Sequence, residues 1–158
     1  MAVTSHVYPT AVKNIGLKNI SLTADSFKVG LCTGSAATWG GTQEAYVFVS
    51  DVTGAYTEVS TGGGYTSGYA GRVALAGLTY TASANVVTWS CTSPISFGAT
   101  TTIAAASMFI YDATANGSSS DSNSWVIAIV DFGGTVTSTA GAFTYTVSGS
   151  GLATWTEN

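Results

Sequence analysis

The run WVIAIVDF at residues 125–132 and the run SMFIY at residues 107–111 are the stretches of sequence that decide the fold. Both runs are short and apolar, and turn-forming Ser, Asn, Asp or Gly residues adjoin them. Apolar runs of this length are typical of β-strands that are covered on both faces. We therefore expect two buried strands at these positions.

Other segments have apolar residues at every second position. Phe27, Val29 and Leu31 alternate with Ser26, Lys28 and Gly30, and residues 86–89 and 143–147 continue the pattern. This period predicts strands that bury one face, so the first three side chains should enter the core while Lys28 points outward.

Turn-forming residues separate these segments and set the fold class. Residues 62–64, 113–124 and 133–134 are rich in Gly, Asn, Ser or Asp, which favour turns and do not support long helices. The chain is therefore predicted to be all-β, a single-domain β-sandwich or jelly-roll-like fold with about eight or nine short strands.

The N-terminal segment does not follow the strand pattern. Pro9 followed by Ala11, Val12 and Ile15 predicts a short helix with one apolar face, which Gly16 would end. An N-terminal arm lying along a neighbouring subunit would have the same composition. We therefore assign residues 1–22 to an arm or short helix and residues 23–158 to the β-sandwich domain.

The charge content limits the possible partners. Of 158 residues, 8% are charged, and the formal net charge is −4, whereas soluble domains usually carry about 25% charged residues. Four Lys and Arg residues are too few to bind a phosphate backbone or an anionic membrane. The sequence shows no apolar stretch of about 18 residues and no secretory signal. We expect neither a nucleic-acid nor a membrane partner.

Residues suited to catalysis or metal binding are sparse, so we expect no enzyme activity and no cofactor. His6 is the one histidine, and no Gly-x-Ser-x-Gly elbow accompanies it. Four carboxylates could be considered for a glycosidase pair, but solvated loop positions are the favoured interpretation: Glu44, Asp51, Glu58 and Asp131.

A calcium loop is also disfavoured. Asp112, Thr114, Asn116, Gly117 and Ser118 match the first half of such a loop, but Asn123 occupies the position where a bidentate Glu is required. An ordinary Asn-Gly turn explains the same residues.

The aromatic residues and cysteines leave alternatives open. A sugar-stacking platform is one possible role for a set of aromatic residues that a sandwich core would use equally well: Trp39, Tyr56, Tyr65, Tyr69 and Trp89. Cys32 and Cys91 each lie near the end of a strand-like run, and buried free thiols are favoured over a disulfide.

In their order along the chain, a set of short motifs resembles a family of small virion structural proteins of tailed bacteriophages. The resemblance covers about residues 8–155 and is carried by the segments 25–31, 56–59, 64–68, 108–112, 129–134 and 143–145, with Gly151 and Leu152. Proteins of this kind are structural components of heads or tails. The resemblance therefore implies a head or tail role, and we favour capsid decoration.

Several motif residues have physical roles in such a fold. Tyr65 should place its ring under a turn while its hydroxyl reaches a backbone carbonyl. Asp131 should accept hydrogen bonds from loop amides, and Gly133 and Gly134 should adopt positive φ. These roles specify a fold and involve no catalysis.

The expected function is that of a non-enzymatic decoration protein that binds and stabilises the outer capsid surface. Its partners would be the major capsid protein and copies of itself, preferably as a trimer, on a virion assembled in the bacterial cytoplasm. Alternatives are a tail or tail-tip component and a carbohydrate-binding module. The candidate interface comprises Tyr8, Lys13, Lys18, Tyr46, Val47 and Phe48. Residues 46–48 would otherwise form a buried strand.

Overall fold

Antiparallel strands are the main regular secondary structure of this computed structural model, which describes residues 3–37, 39–114 and 119–156. The strands within these ranges are β1 (Thr4–Val7), β2 (Phe27–Cys32), β3 (Val73–Ala74), β4 (Thr79–Ser83), β5 (Val86–Ser90), β6 (Ile95–Ser96), β7 (Thr101–Asp112), β8 (Val126–Gly141), β9 (Thr144–Tyr145) and β10 (Ala153–Thr156). The α-helices are α1 (Pro9–Gly16), α2 (Val49–Tyr56) and α3 (Gly68–Gly71), and Gln43–Ala45 form a 3-10 helix. The prediction of an all-β, sandwich-like fold is confirmed.

The two apolar runs form buried strands, as predicted, and they lie next to each other in the main sheet. Its strand order is β1-β8-β7-β2-β3, and every pair is antiparallel. The inner parts of β7 and β8 are buried on both faces, which explains why their sequences are continuous apolar runs and not alternating ones.

A second sheet, of order β10-β5-β4, packs on one face of the main sheet. Trp89 of β5 lies edge-on to Phe27 of β2, with ring centroids 5.0 Å apart, and its indole N–H donates to the Leu22 carbonyl at 3.1 Å. Phe27, Val29 and Leu31 are buried, as the alternation in β2 predicted. The strands β6 and β9 form a separate two-stranded sheet.

Helical segments between β2 and β3 cover the opposite face of the main sheet. The α3 residues Tyr69 and Ala70 accept hydrogen bonds from the Lys28 ammonium, so Lys28 is half-buried under α3 and does not project into solvent as expected. The helix α2 was not predicted. Asp51 caps its start, because its carboxylate accepts the backbone N–H groups of Val47 and Phe48 at 2.9 Å.

The N-terminal segment is part of the same core. The predicted short helix is present as α1, and the strand β1 before it pairs with β8, with Thr4 opposite Asp131. Ile20 and Leu22 are buried in the core. Residues 3–22 therefore pack as an edge strand and a helix of the main fold.

The turn predicted at Gly133 and Gly134 is wrong. Both residues have positive φ, as expected, but they lie within β8, opposite an irregularity in β7 between Ala105 and Ser107. The glycines thus form a β-bulge after which the ladder continues to Gly141. A strand was predicted over residues 143–147, but in the structure only Thr144–Tyr145 are in a strand. No helix in the described ranges is long and apolar enough to cross a membrane.

Candidate interaction surface

A buried arginine, Arg72, forms ion pairs with two carboxylates. Arg72, after α3, has a side chain with no exposed surface. Its guanidinium donates to Glu58 at 2.6 and 2.7 Å and to Asp121 at 2.6 and 2.7 Å. It also lies 4.9 Å from the ring centroid of Phe109 and 5.3 Å from that of Tyr111. The arrangement joins α3 and two loops to the main sheet.

The Arg72 guanidinium stays charged although it is buried. Burial alone would lower the pKa of Arg72, but the hydrogen bonds that it donates to Glu58 and Asp121 outweigh that effect and hold the pKa above its usual value. Tyr65 belongs to the same cluster. Its hydroxyl donates to Glu58 at 2.9 Å and accepts the Leu31 N–H at 3.0 Å, so the expected carbonyl partner is wrong.

The prediction of four solvated loop carboxylates holds for Glu44 alone. Asp131 is buried, and its carboxylate accepts from the Ser35 hydroxyl at 2.6 Å and the Gly133 amide at 2.5 Å. The predicted amide hydrogen bond is present, but its donor lies in the bulge of β8 and not in a loop. Glu58 pairs with Arg72, and Asp51 caps α2. These acids are structural, because each is bound to groups that hold the fold together.

The described residues offer no assembled chemical site. No group of three or more His, Cys, Asp or Glu among them is placed to hold a metal. His6 stacks flat on Trp39, with ring centroids 4.5 Å apart. In the calcium candidate, Asp112 is buried and accepts the Thr114 amide at 2.8 Å, and Asn116, Gly117 and Ser118 lie outside the described residues.

Both cysteines are buried free thiols, as favoured from the sequence. Burial, reinforced by the nearby negative charge of Glu58, raises the pKa of Cys32 to about 12. Burial also raises the pKa of Cys91. Because the thiolate is the reactive form, both shifts disfavour reaction of these thiols at neutral pH.

The six candidate interface residues are placed differently from one another. Lys13 and Lys18 are exposed, whereas Tyr46, Val47 and Phe48 are half-buried in the connection before α2 and form no buried strand.

Tyr8 is 0% exposed, and its ring contacts Trp39 and Tyr46. No described residue hydrogen-bonds to its hydroxyl, and burial raises its pKa. Tyr8 therefore has no exposed surface for a partner to contact.

The aromatic residues considered for a sugar platform do not form one. Trp89, Tyr65 and Tyr56 are buried, and Trp39 and Tyr69 are half-buried.

A pair that sequence reasoning missed, Tyr80 of β4 and Trp155 of β10, lies at the surface. The two rings meet at 64° with centroids 6.2 Å apart, and Tyr80 is 49% exposed. The alternation of side-chain direction along β4 and β10 was the one sequence signal for this pair. It does not indicate whether a given face of the sheet is buried or exposed.

The outer face of the three-stranded sheet carries hydroxyl groups in register. Because Trp89 points into the core, its neighbour Thr88 points away from it. Thr81 of β4 and Thr154 of β10 are both paired with Thr88, so the three threonines form a row across the sheet. Their strands contain no charged residue.

A groove of about 440 Å³ runs beside β1. Its lining includes Val3, Ser5 and Val7 of the N-terminal segment and residues 150–154. The residues that line it include no charged group, no histidine and no cysteine. The groove therefore continues the uncharged, hydroxyl-bearing character of the neighbouring sheet.

Comparison with known proteins gives no relative from which a function can be transferred. No protein-family model matches the chain, and no curated protein and no solved structure match it. The phage resemblance stays a prediction.

Proposed function

We propose that this chain is a non-enzymatic structural protein of a tailed-phage virion that decorates the outer surface of the capsid and reinforces it. The observation that carries the proposal is the distribution of charge. Arg72, Asp112 and Asp131 are buried, and Glu58 is paired with Arg72, while the strands of the three-stranded sheet and the groove beside β1 carry no charge. Such a surface suits broad contact with a protein and offers no acid–base chemistry.

The proposed mechanism is multivalent attachment. Each chain makes modest contacts through uncharged strands and loops, and several chains joined together must release all contacts at once before any detaches. A closed homo-oligomer that contacts several capsid subunits thereby holds them against the outward pressure of packaged DNA. The exposed Lys13 and Lys18 and the half-buried residues 46–48 belong to the proposed contact region.

One observation favours a second candidate, a glycan-binding module. Tyr80 is 49% exposed beside the half-buried Trp155, and no described residue hydrogen-bonds to the Tyr80 hydroxyl or the Trp155 indole N–H. An aromatic ring with a free polar tip is suited to stacking on a sugar and hydrogen-bonding to it.

The test is to mix the purified protein with phage shells that lack it and to measure binding by co-sedimentation and shell stability by thermal release of DNA. We expect saturable binding to shells and a higher release temperature. Binding to purified tails alone would replace decoration with a tail role. Glycan-array binding that Tyr80→Ala abolishes, without shell binding, would favour the second candidate.

A further inference from the structure

The strand β4 is an unprotected edge of the three-stranded sheet. It pairs with β5 on one side, and all five of its residues are exposed. Its sequence, TYTAS, has no charge and no proline, and its register with β5 is regular from Thr79 to Ser83. Proteins usually protect such edges with lysine, proline, a bulge or a covering segment. The described part of β4 has none of these.

The backbone groups that face the free edge can be identified. The Trp89 carbonyl accepts the Leu152 N–H at 2.8 Å and therefore points toward β10, away from β4. Hydrogen-bonding direction alternates between successive pairs of an antiparallel ladder. Tyr80, which is opposite Trp89, thus directs its N–H and C=O away from β5, and so does Ala82 two residues later. No described residue bonds these four groups.

We propose that the chain forms a dimer in which β4 pairs with β4 of a second copy, antiparallel and centred on Thr81. This register places Tyr80 opposite Ala82 of the second copy and Thr79 opposite its Ser83. It pairs all five residues of each strand, and it matches the outward N–H and C=O groups of Tyr80 with those of Ala82. The two three-stranded sheets then become one six-stranded sheet about a two-fold axis.

The side chains fit this contact. The two copies of Thr81 face each other on the outer surface, where a Thr–Thr pair is favourable and no charge is repelled. On the inner side, each exposed Tyr80 ring has the small Ala82 of the second copy as its neighbour. Because a two-fold contact closes at two copies, it gives a dimer, and the trimer expected from the sequence would need a different contact.

The role of this dimer, which is to join chains for multivalent attachment to a capsid, rests on the proposed function. The formation of the dimer does not. The test is disulfide trapping of the purified protein without shells. Across a non-hydrogen-bonded antiparallel pair the Cα atoms are about 4.5 Å apart, within disulfide range. We expect Thr81→Cys to form a covalent dimer under mild oxidation, seen on a non-reducing gel. Cys32 and Cys91 are buried and leave little background.

The matched control is Thr79→Cys. Thr79 is exposed, on the same strand and on the same face, but its two copies would lie four residues apart along the pairing, about 14 Å. It should not cross-link. Equal cross-linking by both variants, or by neither, would overturn the proposed register.

A second variant tests the contact without a disulfide. Ala82→Pro removes an N–H that faces the free edge and leaves the hydrogen bonds to β5 intact. Sedimentation velocity should show a dimer for the native chain and a monomer for this variant, with unchanged circular dichroism. A native chain that sediments as a monomer, or a dimer that Ala82→Pro does not weaken, would overturn the proposal. Failure of shell binding would leave this result unaffected.

Discussion

At the scale of single residues, Arg72 connects more of the structure than any other charged side chain described. It bonds to Glu58 and Asp121 and lies over the rings of Phe109 and Tyr111 in the centre of the main sheet. A buried ion pair adds little net stability over an apolar replacement of the whole pair. Removal of one member alone is costly, because the remaining charges are left without compensation.

We therefore predict that Arg72→Met lowers the free energy of unfolding by about 3–5 kcal/mol. Lys13→Met, which removes an exposed cation from α1, should change it by less than about 0.5 kcal/mol. Urea denaturation followed by circular dichroism measures both. Equal effects of the two substitutions would contradict the structural role of Arg72.

The raised pKa values of Cys32 and Tyr111 lead us to expect a loss of stability at alkaline pH. Burial raises the pKa of Cys32 from 9.0 to about 12 and that of Tyr111 from 10.0 to about 12. A raised pKa in the folded state contributes stability that is complete below the unfolded pKa and is lost as pH rises through the folded one. The free energy of unfolding should therefore fall between about pH 9 and pH 12.

The measurement is urea denaturation across this pH range, with Cys32→Ala as the comparison. The variant should lose less stability than the native chain over the same interval. A native thiol that reacts rapidly with a thiol reagent at pH 8 would contradict the burial of Cys32.

At the scale of elements, a strand or helix could be predicted where the local sequence determines its structure. It could not be predicted where tertiary contacts do. The apolar runs of β7 and β8 are typical of buried strands and were predicted, whereas the first half of β7 and the part of β8 after Phe132 were not. The helix α2 was missed because its β-branched residues and Gly54 have low helix propensity. It is stabilised by burial of Val49 and Val52 and by the Asp51 cap, which are tertiary and positional effects.

The bulge in β8 shows the same limit. Positive φ at Gly133 and Gly134 was predicted, but it is compatible with a turn and with a bulge. Only the continued pairing with β7 beyond these glycines distinguishes the two, and that pairing involves residues distant in sequence.

Two glycines give a prediction about close packing between elements. A Cβ at Gly30 of β2 would overlap the Phe109 ring of β7, whereas a Cβ at Gly54 of α2 meets no atom within 4 Å. Gly30→Ala should destabilise the fold by about 1–3 kcal/mol. Gly54→Ala should stabilise it by up to about 1 kcal/mol, because alanine favours a helix interior.

Thermal unfolding of the two alanine variants beside the native chain measures these effects. The two midpoints should move in opposite directions. A Gly30→Ala variant as stable as the native chain would mean that β2 and β7 are less closely packed than described.

At the scale of the whole molecule, the fold class could be predicted and the exposed surface could not. Trp89 and Tyr80 are both aromatic residues in strands, yet one is buried against Phe27 and the other is exposed beside Trp155. The two residues are paired on the same face of the sheet, so alternation gives them the same environment, and only the extent to which the main sheet covers that face separates them. For the same reason Tyr8, expected at an interface, lies in the core.

The proposed function requires the uncharged surface to contact a phage capsid. Under the proposed function a tailed phage encodes this chain, and cryo-electron microscopy of the particles of that phage is the decisive measurement. We predict density matching this sandwich-like fold on the outer face of the capsid, in contact with the major capsid protein. A capsid exterior without such density, in particles from which the chain is absent or confined to the tail, would contradict the account.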